Sequence, residues 1–210
     1  GKYDEAEPFS IRAIAIGEKA FGPDHPEFAD FLSIRADLLE RQGKYAEAAP
    51  LYERCQAIKE EVLGPEHPCV ARTLNNRALL LKSQGKYADA ELLYEQCQAI
   101  QEKVLGPEHP GVATTLSNMA SLLTIQGKCA EAAPLYEQCQ AIEEKVLGPD
   151  HPSLARTLHN RATLLQSQGK DVEADTLYVR AIAIGEKSLG SDHPDVAVFH
   201  SNRALMLQNQ

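Results

Sequence analysis

Residues 70–97 read VARTLNNRALLLKSQGKYADAELLYEQC, and this stretch decides the fold. On both sides of Gln84-Gly85, apolar residues recur at steps of three and four, which is the spacing of a helix with one buried face. They are Leu74, Ala78 and Leu81 before the glycine, and Ala90, Leu93, Tyr94 and Cys97 after it. The stretch therefore predicts two amphipathic helices joined by a short turn.

The same pattern repeats along the whole chain with a period of 42 residues. Blocks 1–42, 43–84, 85–126, 127–168 and 169–210 align without an insertion or deletion. The second and third blocks are identical at 29 of 42 positions, so neighbouring blocks must adopt nearly the same structure. We expect one array over residues 1–210, and the lack of an initiator Met and of polar capping repeats predicts that it is part of a longer array.

Each block contains a long helix followed by a second helix, as residues 85–126 illustrate. The long helix begins at Tyr87 and is predicted to end at Gly106-Pro107, because glycine suits the left-handed position past a helix end and proline cannot continue the helix. The second helix is predicted to begin at Pro110 and to end near Gln126-Gly127. Only neighbouring helices can bury both stripes, which predicts an all-α fold of about ten helices in stacked antiparallel pairs.

A set of residues in this pattern resembles a known family. The set is Leu74, Asn76, Ala78, Leu81, Gln84-Gly85, Tyr87, Ala90, Tyr94 and Cys97. It resembles the tetratricopeptide repeat (TPR), whose usual period is about 34 residues. The longer period, together with the Gly-Pro-Glu-His-Pro and Leu-Tyr-Glu motifs, is similar to the kinesin light chain group of repeats, shared with nephrocystin-like proteins. The resemblance implies a right-handed α-solenoid, a TPR-like superhelix, whose second helices line a concave groove that holds peptides or extended segments of partner proteins.

Composition excludes several other classes of partner. The net charge of −9 and the isoelectric point near 5.3 argue against nucleic acid, because duplex binding depends on Lys and Arg. No apolar run is long enough for a membrane helix. Cys55, Cys97 and Cys139 share one repeat position that holds alanine in the outer repeats, which predicts small buried thiols and no disulfide. We expect a reduced, cytoplasmic protein without a membrane or nucleic-acid partner.

An asparagine recurs at one position of the second helix. The four residues are Asn76, Asn118, Asn160 and Asn202, and Ile34 replaces them in the first block. In similar arrays such asparagines bind the backbone of a peptide, and a side-chain amide can pair with any peptide group because it both donates and accepts. The alternative is that each asparagine ties its helix to the next repeat. The sequence leaves both interpretations open.

Charged residues are predicted to face the groove beside these asparagines. The first block contributes Asp30, Asp37 and Glu40, and later blocks contribute Arg72, Lys82, Arg156 and His159. The middle of the groove would then be net positive, which favours an acidic ligand segment bound by arginine forks and a lysine charge. The alternative is a mixed, solvated surface.

Two further ladders are expected to be structural. Arg35, Arg77, Arg161 and Arg203 should pack their stems while their heads reach water or a carboxylate. One histidine of each block, His25, His67, His109, His151 and His193, should close the start of a second helix. A metal site is not expected, because equivalent points of stacked repeats do not converge. His159 and His200 are expected at the surface or in the groove.

The sequence predicts no enzyme and no cofactor. Motifs for phosphate loops, zinc proteases and serine hydrolases are absent. Glu60-Glu61 and Glu143-Glu144 are expected on the exposed side of long helices, with ordinary pKa values. Two function classes remain, namely a peptide-binding scaffold and a structural or self-associating array. Apolar residues of the last helix, such as Val196, Phe199 and Leu205, also predict end-to-end association.

Overall fold

A computed structural model describes residues 2–208, and these residues form ten α-helices and no strand. The expected all-α fold class is therefore confirmed. The chain divides into two compact units, Gly1–Gly106 and Pro107–Gln210. No described helix has both the length and the apolar composition needed to span a bilayer.

Each unit contains five helices within the described residues. The first unit holds α1 (Tyr3–Phe21), α2 (Pro26–Arg41), α3 (Tyr45–Leu63), α4 (Pro68–Ser83) and α5 (Tyr87–Leu105). The second unit holds α6 (Pro110–Ile125), α7 (Cys129–Val146), α8 (Pro152–Ser167), α9 (Asp171–Leu189) and α10 (Pro194–Gln208). Long first helices thus alternate with shorter second helices, as the sequence predicts.

The local signals that begin and end these helices act as expected. In α4, the Nδ1 atom of His67 accepts a hydrogen bond from the Cys69 N–H at 3.2 Å, and Pro68 follows the histidine as the first helical residue. The same bond occurs at His25, His109, His151 and His193. The long helix α3 ends before Gly64, whose φ of 87° lies in the region that glycine tolerates best. The histidine ladder is therefore structural.

Aromatic rings and small residues build the cores of both units. In the first unit the buried Tyr52 ring packs with Ala36, Leu39, Ala48 and Leu80. In the second unit Tyr136 packs with Ala120, Leu123, Ala132 and Leu164. Cys55, Cys97 and Cys139 are fully buried and unbridged, as expected for small apolar residues. The second helix of one repeat and the first helix of the next share these cores, which explains why no repeat can fold alone.

The arginine ladder joins the two helices of a pair. Arg35 donates to Glu7 at 2.7 Å and to Ser10 at 3.0 Å, and Arg203 donates to Asp175 at 2.7 Å. The hydrogen bond from Arg35, followed by that from Gln42, lowers the pKa of Glu7 to about 2. Arg77 and Arg161 donate instead to Gln56 and Gln140, which lie about two turns further along the long helix than the positions of Glu7 and Asp175. The structural role predicted for these arginines is confirmed.

Candidate peptide-binding face

The second helices lie side by side within each unit, and we call the surface that they form the second-helix face. In the first unit, α2 and α4 are in contact. In the second unit, α8 contacts both α6 and α10. The predicted binding residues all belong to these helices, so the charges and hydrogen bonds of the two faces decide what each could hold.

On the first unit, an ion network occupies the second-helix face. Asp30 of α2 accepts a hydrogen bond from Arg72 Nη2 of α4 at 2.9 Å and another from Lys59 Nζ of α3 at 2.8 Å. Lys59 is 1% exposed, whereas the side chain of Asp30 is 47% exposed. One carboxylate is shared by two cations, so the network keeps a net positive charge, although Arg72 already has a carboxylate partner. The positive charge expected in this part of the groove therefore stays a prediction, with the difference that Asp30 already holds the guanidinium of Arg72.

The other end of this face is acidic. A pocket of about 320 Å³ is lined by Asp37, Glu40, Arg41, Asn76, Leu79 and Ser83. The Tyr52 hydroxyl donates to Asp37 and lies 3.4 Å from Glu40. Burial, and then the charge of Asp37, raises the pKa of Glu40. Burial also lowers the pKa of Lys82, which is half-buried. Asn76 therefore shares the wall of this pocket with the carboxyl groups of Asp37 and Glu40.

On the second unit, three predicted residues line one polar pocket. Its volume is about 180 Å³, and its walls are Thr114, Ser117, Asn118, Glu143, Ser153, Arg156, Thr157 and Asn160. Asn118 and Asn160 are half-buried, while Arg156 is exposed at the rim. Within residues 2–208, no carboxylate forms an ion pair with Arg156. The structure therefore brings together two members of the asparagine ladder and one predicted cation.

Glu143 at this pocket differs from its sequence-based expectation. The residue is 5% exposed, and its Oε2 atom has no hydrogen-bond partner among the described residues. Burial raises the pKa of Glu143, and the neighbouring Thr157, Cys139 and Arg156 oppose that shift. The expectation of an exposed carboxylate with an ordinary pKa is wrong, because Glu143 points to the inner side of α7 where α6 and α8 cover it.

His159 is also buried rather than exposed. It is 9% exposed, and its ring lies 4.8 Å from the ring of Phe199, measured between centroids. Asn202 Nδ2 lies 2.9 Å from His159 Nε2, and His159 Nδ1 lies 3.4 Å from Asn160 Oδ1. These contacts fit a neutral ring that accepts at Nε2 and donates at Nδ1. Burial lowers the pKa of His159, which agrees with that form. His159 therefore joins α8 to α10, and Asn202 serves this contact.

The burial of Glu143 can be inferred from two repeat positions whose residue types change together along the chain. Inside α1, a Cβ atom at Gly17 would lie 2.5 Å from the Phe31 ring, and the equivalent Gly185 lies against Phe199. In inner repeats the same two positions hold Lys59 with Thr73, and Glu143 with Thr157. Glycine thus accompanies phenylalanine, and a long polar side chain accompanies threonine. This exchange indicates direct contact between the two positions, and hence burial of Glu143.

Comparison with known proteins identifies the family. A tetratricopeptide repeat model matches residues 27–103, 93–145 and 111–185, and a second tetratricopeptide repeat model matches residues 1–27. The chain belongs to the tetratricopeptide repeat family. No curated protein matches this TPR chain in sequence.

Solved structures place this TPR chain among kinesin light chain-like repeats. A Podosopora anserina protein, described as a kinesin light chain with nearly identical TPR-like repeats, shares 31% identity at a TM-score of 0.70, covering 89% of each chain. BtubC (BKLC) from P. vanneervenii shares 20% identity at a TM-score of 0.84, covering 99% of this chain and 84% of that one. Aspartyl phosphate phosphatase F from Bacillus subtilis shares 17% identity at a TM-score of 0.80, covering 98% and 54%. The last two similarities concern the fold alone.

Proposed function

We propose that this TPR chain is a protein-interaction scaffold that binds extended peptide segments on its second-helix faces. The observation that carries the proposal is the pocket of the second unit, where Asn118, Asn160 and the exposed Arg156 meet. Side-chain amides on neighbouring second helices can pair with the backbone of an extended segment whatever its sequence, because an amide both donates and accepts. Family membership supports a role in protein interactions in general, and the pocket supplies the chemistry for a peptide.

Arg156 gives this proposal its preference for an acidic ligand. Its guanidinium lies at the rim of the pocket, where it can form a bidentate fork with a carboxylate of the ligand. Arg72, two repeats earlier, is less available because Asp30 already binds it. We therefore assign an acidic side chain of the bound segment to Arg156, with Asn118 and Asn160 on its backbone. Asn76, Asn202, Arg72, Lys82 and His159 have at most secondary roles.

A peptide selection tests the proposal. Randomised peptides of about twelve residues are selected on the chain, and the affinities of the winners are measured by fluorescence anisotropy. The selected peptides should be enriched in Asp and Glu, and Arg156→Glu should weaken their binding about tenfold or more, the value of a charge-assisted hydrogen bond. Arg12→Glu, a reversal at an exposed arginine of α1, is the matched control and should change little. Equal binding by both variants would remove Arg156 from the site.

Self-association is a second candidate, favoured by an apolar strip on α10. Of the apolar residues expected at this end, Val196 and Phe199 are buried against α9, at 1% and 3% exposure, and do not form an outer face. Val198 and Leu205 lie seven residues apart on one side of the helix, and both are half-exposed. A second copy of the chain could cover these two side chains and remove their apolar surface from water. Sedimentation velocity over a wide range of concentrations should show a rising average mass, and Leu205→Lys should abolish the rise. A constant monomer mass would exclude self-association.

A further inference from the structure

We propose that the Glu143 pocket receives the ammonium group of a lysine side chain in the bound segment, with Glu143 as its counter-ion. The inference rests on the proposed function, because the lysine belongs to the segment held on the second-helix face. It adds a second requirement to the ligand, namely a lysine next to the acidic residue that Arg156 holds.

The first support is the state of Glu143 itself. A buried carboxylate oxygen without a donor destabilises the folded state, because burial removes its hydrogen bonds to water and no protein donor replaces them. Glu143 Oε2 is in this position, and the side chain lines a pocket of about 180 Å³. An ammonium group offers three donors. It can therefore satisfy Oε2 and still donate to the hydroxyl of Thr157 or Ser117 in the pocket wall.

The second support is the equivalent layer of the first unit, which already contains an ammonium group. Lys59 occupies the position of Glu143 two repeats earlier, and Thr73 occupies that of Thr157. The Lys59 ammonium lies 2.8 Å from Asp30 Oδ1 and 3.4 Å from Thr73 Oγ1. In the second unit a threonine replaces that aspartate, and the carboxylate comes from the long helix instead. Among the described residues, this layer thus keeps its acid and its threonine, and its cation is the Arg156 guanidinium at the position of Arg72 rather than an ammonium group.

Other ligand chemistries fit the pocket less well. An anion inside the pocket would lie beside the Glu143 carboxylate, whereas an acidic side chain at the rim meets Arg156 instead. An apolar group in the pocket would leave Glu143 Oε2 without a donor. Among residues 2–208, no group of three His, Cys, Asp or Glu residues could hold a metal ion. Arg156 stands at the rim with its own positive charge, which favours an acidic neighbour of the lysine rather than a second cation.

An NMR titration with a defined probe tests the inference. The probe is a peptide of one lysine between two glycines on each side, with both ends blocked, and its control is the same peptide with an acetylated lysine ammonium. The lysine peptide should give saturable amide shifts at Glu143 and Thr157, with no shift at Thr73 of the first unit. Glu143→Gln should weaken this binding about tenfold or more, as expected for a charge-assisted hydrogen bond. Equal binding of the acetylated peptide, or no saturable shift, would overturn the inference.

A second measurement does not depend on the variant. Burial holds the pKa of Glu143 above its ordinary range, and the other titratable groups facing it are Arg156 and the Cys139 thiol. The bound lysine peptide should lower the pKa of Glu143, read from the carbon-13 shift of its carboxyl group. An unchanged titration curve would contradict the inference. This probe carries no acidic group, so a failure of the lysine peptide to bind would not change the result of the Arg156→Glu test. In the same way, a negative result with Arg156→Glu would not decide whether the lysine peptide binds.

Discussion

Asp30 should stabilise the first unit mainly by neutralising the buried Lys59. Asp30→Ala would leave the Lys59 ammonium with the Thr73 hydroxyl, at 3.4 Å, and the neighbouring Cys55 thiol, neither of which carries a formal negative charge. Removing one partner of a buried ion pair costs about 3–5 kcal/mol, and an exposed pair contributes about 0–1 kcal/mol. The Lys59 side chain is 2% exposed and that of Asp30 is 47% exposed. We therefore expect an intermediate loss of about 2 kcal/mol in the free energy of unfolding.

The assay is urea denaturation followed by far-ultraviolet circular dichroism. Adding Lys59→Met to Asp30→Ala should restore most of the lost stability, because the thioether needs no counter-ion and fills a similar volume. The matched control is Lys103→Ala, which removes an ion pair to Glu66 whose two side chains are 62% and 61% exposed. This control should change stability little. If Asp30→Ala cost no more than the control, or if Lys59→Met gave no rescue, the reasoning would be refuted.

Further predictions concern caps, packing and pH. His67→Ala should lower the free energy of unfolding by about 1 kcal/mol and His67→Asn by less, since asparagine also caps; equal losses in urea denaturation would contradict the capping role. Gly17→Ala should lower the free energy of unfolding by about 1–3 kcal/mol, because the added methyl group clashes with the ring of Phe31. Adding Phe31→Thr should recover part of that loss in thermal denaturation. If the effects of the two substitutions simply added, the contact between the two positions would be contradicted. Burial raises the pKa of Glu143 above 4.5, so the folded state loses stability as pH rises through that folded pKa. Glu143→Gln should therefore have the higher free energy of unfolding at pH 7 and lose this advantage below pH 4.5. An advantage that does not depend on pH would contradict this reasoning. Burial lowers the pKa of His159 below 6.5, so the free energy of unfolding should fall as pH drops from 6.5 through the folded pKa. His159→Gln should make the free energy of unfolding less dependent on pH in this range. An unchanged pH dependence in the variant would contradict this role of His159.

Sequence patterns predicted the helices well, because the signals are local. The long helix α5 ends at Leu105, before Gly106, and α6 begins at Pro110, as glycine and proline require. The histidine caps likewise depend only on an N–H two residues further along the chain. Each of these features needs no partner from elsewhere in the fold.

The candidate site was only partly predictable. Asn118, Asn160 and Arg156 do lie around one pocket, but His159 is buried and Arg72 is bound by Asp30. Counting charges along a helix cannot show such partners, since they lie on neighbouring helices. The exchange of glycine and phenylalanine for a polar residue and threonine was the one available signal for the buried position of Glu143.

By itself the sequence determined the period, the helix limits, the caps and the family, because these follow from backbone preferences and from a pattern repeated at 42 residues. The tertiary structure decided the electrostatics. Lys59 and Glu143 occupy the same repeat position with opposite charges, and only the packing shows that the first has Asp30 as its partner while an oxygen of the second has none. The physical reason is that the energy of a buried charge depends on the groups within a few ångströms, and the fold brings those groups from other helices.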